Sequence, residues 1–310
     1  MSVRSFVIAA DDARLDRAIH EALSELSRRQ VEALIAAGAV RIDERVCTKK
    51  GERPKKGSRV SLDVAALETR APEERKRLAD KERDLRLLAI GDDWAVIRKP
   101  AGLGSTPAFF GDALSFTTFS ARMLAERWPE RATLDDEGLV HRLDVGTSGA
   151  CLFARTQAAL DRFRADRDAG RLRRTYWAIV AARAPEHAVI DTEIAHHPSD
   201  PAKMVLATAP HRSKPQPAHT EARVLARDDA AALVTVTIVG GRRHQIRVHM
   251  ASLGLPLYGD ALYGSPIASE RLALHATYLD FVCPNAGPQR VAAEPGAHFW
   301  AFAPALARPI

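Results

Sequence analysis

The stretch "HRLDVGTSGACLFA", residues 141–154, places one carboxylate between a basic pair and a glycine-rich turn, directly ahead of an apolar run. The run "GACLFA" follows turn residues, which is typical of a buried β-strand. Asp144 is therefore expected in a loop that leads into the core of a sheet. In such a place a carboxylate can be a turn residue, a metal ligand, half of an ion pair or a catalyst.

Strand patterns dominate the sequence on both sides of this loop. "LRLLAIGDDWAVIRKP" (85–100) predicts a hairpin, and "RRTYWAIVA" (173–181) and "AALVTVTIVGG" (231–241) predict further strands. Helices are predicted in "TQAALDRFRADRDAG" (156–170) and "HQIRVHMASLG" (244–254). Many strands with few helices between them predict an α+β domain with a mainly antiparallel, mixed sheet.

The composition is typical of a globular protein, with 46% hydrophobic and 27% charged residues in a chain of 310. No apolar run approaches the roughly 18 residues of a membrane span. The uncharged stretch at residues 5–10 is too short for a secretory signal. We therefore expect a cytoplasmic, monomeric protein without a membrane partner. A net charge of +6 permits a polyanionic partner but does not require one.

Residues 14–64 have the pattern of a small separate unit with two helices and three strands. Ser27 and Gln30 have capping-box spacing, so a helix is expected to begin there, and Gly38 is placed to end it. The apolar positions behind these predictions are Leu15, Ile19 and Leu23 for the first helix, Val31, Leu34 and Ile35 for the second, and Val40, Ile42, Val46, Val60, Leu62 and Val64 for the strands.

Basic side chains are concentrated in residues 41–59, with eight Lys or Arg against three acidic residues. A solvated loop is the simplest explanation of such a run. However, Arg28 and Arg29 also open the second predicted helix, whose N-terminus is itself an anion site. Together with Lys49 and Lys50 they predict one phosphate-binding face for RNA.

The segment 65–84 has 12 charged residues out of 20, which predicts an exposed and partly helical linker. The expected organisation is a small N-terminal α/β domain over residues 1–64, a charged linker over 65–84, and a larger domain over 85–310.

A metal site is disfavoured in the larger domain. His141, His244, His249 and His275 could supply ligands together with Asp144. Arginines adjoin several of these histidines, and their charge opposes a cation. His244 and His249 are also five residues apart, whereas two ligands on one helix face are typically four apart. We therefore expect no metal.

Other common catalytic motifs are absent as well. Ser148 does not lie in a G-x-S-x-G elbow and is more simply a turn residue. No P-loop and no dinucleotide-binding G-x-G-x-x-G after a strand occurs. The three cysteines are widely separated, which predicts neither a disulfide framework nor a zinc site. A carboxylate, a tyrosine and several arginines remain. A lone aspartate is usually structural, but beside an arginine it can be a nucleophile kept in its charged form.

At these residues the sequence resembles the RluA-type RNA pseudouridine synthases. The resemblance rests on "HRLD-x-x-TSG", "R-x-Y", "GR-x-HQIRVH" and "LYGD-x-LYG", with "KPAGL" and "RLALHA" as two further segments, in the family's order across residues 85–300. The N-terminal unit resembles the S-four-like (alpha-L) RNA-binding motif over about fifty residues, and many family members carry that domain. Gly240 departs from the family's usual Thr, and Arg174 from its usual Lys.

The resemblance implies an isomerase that needs neither cofactor nor metal. Such an enzyme breaks the bond from the uracil nitrogen to the sugar and rejoins the base through a carbon. Asp144 corresponds to the family's catalytic aspartate, which attacks the sugar or otherwise promotes base release. Tyr176 corresponds to the tyrosine that stacks on the target base and assists removal of the final proton. Arg247 corresponds to the arginine that pairs with the aspartate.

The remaining expected site residues bind RNA. Leu274 matches an apolar position that lines the pocket, and His141 and Arg142 are expected to anchor the loop or to contact the RNA backbone. Arg242, His244 and Gln245 complete the expected substrate-binding set of this domain. The expected target is structured ribosomal RNA, with transfer RNA as the alternative. A non-catalytic RNA-binding or ribosome-assembly factor on the same fold is the competing interpretation.

Overall fold

The computed structural model describes residues 3–11, 13–110, 112–129, 133–267, 269 and 271–309. The chain forms two compact units, one of residues 1–79 with 107–115 and one of residues 80–106 with 116–310. We call them the N-terminal unit and the large unit. The expected domain boundaries at residues 64 and 85 stay a prediction. In the described ranges, every helix is too short or too polar to cross a membrane.

The N-terminal unit packs helices against a small antiparallel sheet. Its strand order is β1-β4-β2-β3. The elements up to the end of this unit are β1 (Val3–Val7), α1 (Leu15–Ala22), α2 (Arg28–Ala36), β2 (Val40–Ile42), β3 (Arg45–Cys47), β4 (Arg59–Asp63) and α3 (Pro72–Asp80). The two helices and three strands predicted for residues 14–64 are confirmed. β1 was not predicted, and it pairs with β4 along the edge of the sheet.

The capping box at the start of α2 is also confirmed. The Ser27 side chain accepts a hydrogen bond from the Gln30 amide, and the Gln30 side chain accepts one from the Ser27 amide. Val31, Leu34 and Ile35 of α2 are buried in the core of the unit, as their spacing predicts. Helix α2 is therefore fixed by its cap at one end and by its apolar face along its length.

The large unit is built on strands with few helices between them. Its elements are β5 (Arg86–Ile90), β6 (Trp94–Lys99), α4 (Phe116–Ala125), β7 (Ser148–Ala154), α5 (Gln157–Asp168), β8 (Arg173–Ala181), β9 (His187–Asp191), β10 (Ile194–His196), β11 (Met204–Leu206), β12 (His219–Arg227), β13 (Ala231–Val239), α6 (Gln245–Ser252), β14 (Leu274–Cys283), β15 (Gly287–Ala292) and α7 (Ala297–Trp300).

Within the described ranges, nine of these strands form one sheet in the order β5-β6-β7-β14-β8-β13-β12-β9, with β15 paired to β14. Neighbouring strands are antiparallel except for β7 and β14, which are parallel over a short register. The mixed, mainly antiparallel α+β architecture is thus confirmed. β7, β14 and β8 are adjacent, so the sheet brings the chain before β7 together with the beginning of β14. Because β8 runs antiparallel to β14, the part of β8 beside that beginning is its middle, around Tyr176 and Ala178.

Both faces of this sheet are buried. The neighbouring residues Tyr278 and Leu279 of β14 belong to different apolar clusters, because successive side chains of a strand point to opposite faces. One cluster contains Phe281, stacked edge-on against Trp94. The other contains Trp177 packed against Trp300. The packing on both sides makes the central strands a rigid support for the loops at their ends.

Gly149 allows the close approach of β7 to β14. Its φ of +122° lies in the region that favours glycine, and a Cβ there would be 2.3 Å from the carbonyl oxygen of Ala276. Ala276 is its partner in the parallel register. The second glycine of the opening motif is thus required by strand packing next to the Asp144 loop.

Candidate active site

The Asp144 loop has a fixed backbone. The Ser105 hydroxyl accepts a hydrogen bond from the Leu143 amide at 3.0 Å and donates one to the Leu143 carbonyl at 2.6 Å. The Thr147 amide donates to the Asp144 carbonyl at 3.1 Å, which closes a turn. The Asp144 side chain itself is 25% exposed. A carboxylate is therefore presented to solvent from a rigid loop.

Lys99 supports this loop from below. It is fully buried, and its ammonium donates to the carbonyl oxygens of Leu103 at 2.7 Å, Pro100 at 3.0 Å and Val145 at 3.4 Å. Burial lowers the pKa of Lys99 to about 8, so most of the side chain is charged at neutral pH. The lysine of the "RKPAG" segment thus connects that segment to the residue after Asp144.

Arg247 of α6 joins two carboxylates. Its Nη1 donates to Asp144 Oδ2 at 3.1 Å, while Nε and Nη2 donate to the two oxygens of Asp260 at 2.7 and 2.8 Å. Arg247 and Asp260 are 8% and 1% exposed. Both carboxylates act to raise the pKa of Arg247, although burial opposes them. The bidentate pair with Asp260 fixes the guanidinium, and the remaining nitrogen then fixes Asp144.

His244 lies on the other side of Asp144. Its Nε2 is 3.9 Å from Asp144 Oδ2, and its Nδ1 is 3.0 Å from the Tyr263 hydroxyl. That hydroxyl accepts a hydrogen bond from the Met204 amide at 2.9 Å, and two acceptors lie within reach of its own proton, the Met204 carbonyl at 3.4 Å and His244 Nδ1. Burial lowers the pKa of His244 to about 4, which keeps the ring neutral at pH 7. With Nδ1 as acceptor, the ring proton lies on Nε2 and faces Asp144.

Tyr176 is positioned by the middle of the sheet. In β8 it pairs with Val236 of β13 on one side and Ala276 of β14 on the other. It is 4% exposed, and burial raises the pKa of its hydroxyl, while the nearby charge of Arg174 acts to lower it. The ring is therefore a neutral, immobile surface in the wall of the site.

One cavity collects most of the predicted residues. Its lining contains Arg142, Asp144, Tyr176, Arg242, His244, Gln245, Arg247 and Leu274, together with Leu143, Thr147, Arg174, Ile238, Gly241 and Ile246. The free volume is about 50 Å³, the space of roughly one or two water molecules. The cavity is open to solvent, and Arg142 in its lining is exposed.

Two of the predicted site residues, His141 and Gln245, form hydrogen bonds within the protein that stabilise its local structure. His141 is 3% exposed, and its Nε2 accepts a hydrogen bond from the Leu152 amide at 3.4 Å. Its burial favours loop anchoring over RNA contact, the two roles expected for it. The Gln245 side chain lies within hydrogen-bond distance of His219 O, Thr220 Oγ1 and Val239 O, and its oxygen accepts from the Arg242 amide. The Gln245 side-chain amide thus stabilises the start of α6.

The four remaining predicted residues belong to the N-terminal unit. Arg28 and Arg29 are the first residues of α2, and Lys49 and Lys50 lie in the turn after β3; all four are exposed. Lys50 Nζ is 3.2 Å from Glu32 Oε1 of α2, so this turn and the start of α2 share one side of the unit.

Sequence reasoning missed several residues of the site. Asp260 and Tyr263 lie within "LYGD-x-LYG" but were given no role, and Lys99 was considered only as part of "KPAGL". Arg174 was considered for its charge alone, although it lines the cavity and lies against Gly241, where a Cβ would be 2.4 Å from its Nη2. Each of these residues lies within a recognised motif, and the motif was the sequence signal that could have identified it. The partner of each polar group could not be predicted, because tertiary contacts determine it.

The residues that the structure describes contain no group of three or more His, Cys, Asp or Glu side chains arranged to hold a metal ion. The site in the described part of the chain consists of one partly exposed carboxylate, a buried arginine–aspartate pair, a neutral histidine and a buried tyrosine.

Comparison with known proteins identifies the family. A family model described as RNA pseudouridylate synthase matches residues 93–252, and one described as S4 domain matches residues 13–60. A protein of Chloroflexus aurantiacus named "Uncharacterized RNA pseudouridine synthase" is 35% identical over 88% of this chain and 83% of its own length. "Ribosomal large subunit pseudouridine synthase D" of Nitrosomonas europaea is 31% identical over 88% of this chain and 78% of its own.

A solved structure has the same fold. "Human RNA Pseudouridylate Synthase Domain Containing 4" superposes with a TM-score of 0.60 at 21% identity, covering 77% of this chain and 99% of the human chain. The sheet, the loops at its centre and the sequence matches all agree: the chain belongs to the RNA pseudouridylate synthase family, a family of isomerases, and carries an S4 domain at its N-terminal end.

Proposed function

We propose that this protein converts specific uridines of structured ribosomal RNA to pseudouridine, with Asp144 as its catalytic residue. The observation that carries the proposal is the position of Asp144. Its carboxylate is partly exposed in a cavity, is held by Arg247, and shares the cavity with Tyr176. A carboxylate that is bound by a guanidinium and lies in the same cavity as a buried ring has the geometry that a reaction at the sugar requires, with the base stacked on that ring.

The target nucleotide must leave the RNA stack to reach Asp144. The cavity supplies an apolar side with Leu274 and Tyr176 and a polar side with Asp144 and Arg247. In the proposed reaction Asp144 attacks the sugar or otherwise promotes release of the base. The bond from uracil N1 to the sugar breaks, a bond from C5 to the sugar forms, and the proton of C5 moves to N1.

Arg247 and His244 position Asp144 in this proposal. The guanidinium neutralises the carboxylate before base release, and its second partner Asp260 prevents it from swinging into the cavity. The neutral His244 ring lies near the same carboxylate without adding a second positive charge. Tyr176 stacks on the detached base and assists removal of the C5 proton.

The N-terminal unit is proposed to bind RNA through Arg28, Arg29, Lys49 and Lys50. The match to an S4 domain over residues 13–60 supports this role, as does the exposure of the four side chains. Ribosomal RNA is proposed as the substrate because relatives named for the large ribosomal subunit are similar over most of the chain. Residues 1–64, 65–84 and 85–310 are proposed as the RNA-binding domain, linker and catalytic domain.

The proposal is tested with the purified protein and unmodified transcripts of both ribosomal RNAs and of transfer RNAs. Pseudouridine is mapped at single-nucleotide resolution before and after incubation, with a sample lacking enzyme as reference. We expect new pseudouridine at a small number of ribosomal positions. Product in transfer RNA alone would replace the proposed substrate, and no product in any RNA, including RNA from a strain lacking the gene, would refute the function.

A further inference from the structure

A second cavity of the large unit lies behind the Asp144 loop. Its volume is about 170 Å³, the space of roughly five or six water molecules. Its walls include Arg98 at the end of β6, Ser148 at the start of β7, Arg271 and Leu272 before β14, His275 of β14 and Phe299 of α7. None of these residues lines the cavity that contains Asp144.

The lining of this second cavity is strongly basic. Its lining has one carboxylate, that of Asp84, and four Lys or Arg side chains, those of Lys81, Arg98, Lys99 and Arg271. The Asp84 carboxylate lies 3.7 Å from Lys81 Nζ. Lys99 is occupied by three carbonyl oxygens. Among the residues that the structure describes, neither the Arg98 nor the Arg271 guanidinium has a hydrogen-bond or ion-pair partner. Two unpaired guanidinium groups therefore border one concave site.

Ser148 and His275 form the polar floor. His275 Nε2 lies 2.8 Å from the carbonyl oxygen of Ala293, to which it donates, so Nδ1 accepts the hydrogen bond of the Ser148 hydroxyl at 2.7 Å. Burial lowers the pKa of His275 to about 4 and leaves the ring neutral. Neither group carries a negative charge, so nothing on the floor repels an anion.

We propose that this cavity binds a phosphate group through Arg98 and Arg271. The planar guanidinium forks match phosphate oxygens, and two of them on one site suit a group with two negative charges. The phosphate can be that of a small phosphorylated molecule or that of the RNA backbone. The chemistry of recognition is the same for both sources.

An occupant of this cavity would contact residues that touch the Asp144 loop. Ser148 follows that loop directly, and Lys99 donates to Val145 within it. The Leu272 side chain lies against Gly146, where a Cβ would be 2.8 Å away. The bound phosphate would thus stabilise the residues that pack against the loop that presents Asp144.

The test uses the full chain and inorganic phosphate, titrated by calorimetry at constant ionic strength against chloride. We expect saturable binding at one site and a rise in Tm of about 2–6 °C at tenfold excess over Kd. Arg271→Gln, in the loop before β14, and the double change Arg98→Gln with Arg271→Gln should weaken binding at least tenfold. Arg127→Gln, which removes an exposed arginine outside the cavity, should bind as the wild type does.

Further titrations distinguish the two sources of phosphate. Ribose 5-phosphate bound in competition with inorganic phosphate indicates a small-molecule site. Inhibition of phosphate binding to the wild type by a short single-stranded RNA, with no competition by ribose 5-phosphate, indicates the RNA backbone. The proposal is overturned if phosphate acts on the wild-type protein no differently from chloride, or if the folded Arg271→Gln and double variants bind phosphate as tightly as Arg127→Gln does. Neither measurement requires pseudouridine formation. The proposal of a phosphate site is therefore tested separately from the proposed function.

Discussion

Arg247 is the residue on which the geometry of the site depends most. It is buried, and it carries one positive charge between the carboxylates of Asp144 and Asp260. Removing one partner of a buried ion pair leaves the other charge in a low-dielectric environment, which is more costly than losing an exposed pair.

Arg247→Met is therefore expected to lower the free energy of unfolding by about 3–5 kcal/mol and to suppress product formation. Urea denaturation followed by circular dichroism measures the first effect. Arg290→Met serves as the matched control, because Arg290 forms an exposed pair with Asp280 at 3.3 Å and should cost no more than about 1 kcal/mol. Equal, small losses in the two variants would contradict the assignment of Arg247 as the central ion-pair residue.

At the residue scale, motifs predicted which side chains meet but not all of their partners. Asp144, Tyr176 and Arg247 were placed in one site through the resemblance, and they line one cavity. The pairing of Arg247 with Asp260 could not be predicted, because it depends on how the chain turns between α6 and Asp260. The burial of His141 could not be predicted either, since the sequence around a histidine next to an arginine does not indicate whether the histidine is buried or exposed.

At the scale of elements, the parallel contact between β7 and β14 is the most constrained part of the fold. Gly149 has a positive φ, and a Cβ added at this position would lie 2.3 Å from the backbone oxygen of Ala276. We expect Gly149→Ala to destabilise the protein by more than about 3 kcal/mol, because steric overlap adds to the strain of a left-handed alanine.

Gly287→Ala separates these two contributions. Gly287 also has a positive φ, +69°, but a Cβ there meets nothing within 4 Å. Its cost should be limited to backbone strain of about 1–2 kcal/mol. If chemical denaturation gives the same loss for both variants, the close approach of β7 to β14 is not what requires glycine at position 149.

Eight strands were predicted, namely β2 to β8 and β13, whereas β1, β9 to β12, β14 and β15 were not. β6, β7, β8 and β13 are largely buried and have continuous β-branched or apolar runs. β1 is mostly exposed, so its pairing with β4 comes from backbone hydrogen bonds that leave little trace in the side-chain pattern. β10 and β11 have three residues each, which is too short for an alternating pattern to be recognised.

At the scale of the whole molecule, buried histidines make stability depend on pH. Burial is the main cause that lowers the pKa of His141, His244, His249 and His275, with values of about 4 for His244 and His275. In the unfolded chain these groups titrate near pH 6.5. Between about pH 6.5 and pH 4 the unfolded chain therefore binds protons that the folded chain does not.

The free energy of unfolding should consequently fall as the pH is lowered through this window, by up to about 1.4 kcal/mol per pH unit for each proton involved. Urea denaturation at pH 7.5, 6.5, 5.5 and 4.5 measures the slope. His211→Gln, which removes an exposed histidine, should leave the slope unchanged. A stability that is constant or rises on acidification through this range would show that the buried histidines are not held neutral.

RNA binding is also a property of the whole molecule, and its salt dependence reports how many phosphates the protein neutralises. Replacing Arg28, Arg29, Lys49 and Lys50 with glutamine should weaken RNA binding and reduce the slope of log K against log salt by about 0.7–0.9 for each phosphate that the variant no longer neutralises. The control variant carries the same change to glutamine at four exposed arginines of the large unit, Arg83, Arg127, Arg183 and Arg290. The same slope in both variants would mean that net charge, not this surface of the N-terminal unit, governs binding.

The most direct test of the whole account is single-turnover pseudouridine formation by Asp144→Asn. Asparagine keeps the shape of the side chain but is neutral and a far poorer nucleophile. We expect product formation to fall at least about a thousandfold, with RNA affinity and melting temperature close to wild type. Asp161→Asn makes the same chemical change at an exposed carboxylate of α5 and should retain full activity. Product from a folded, RNA-binding Asp144→Asn variant within tenfold of wild type would contradict the claim that Asp144 is the catalyst.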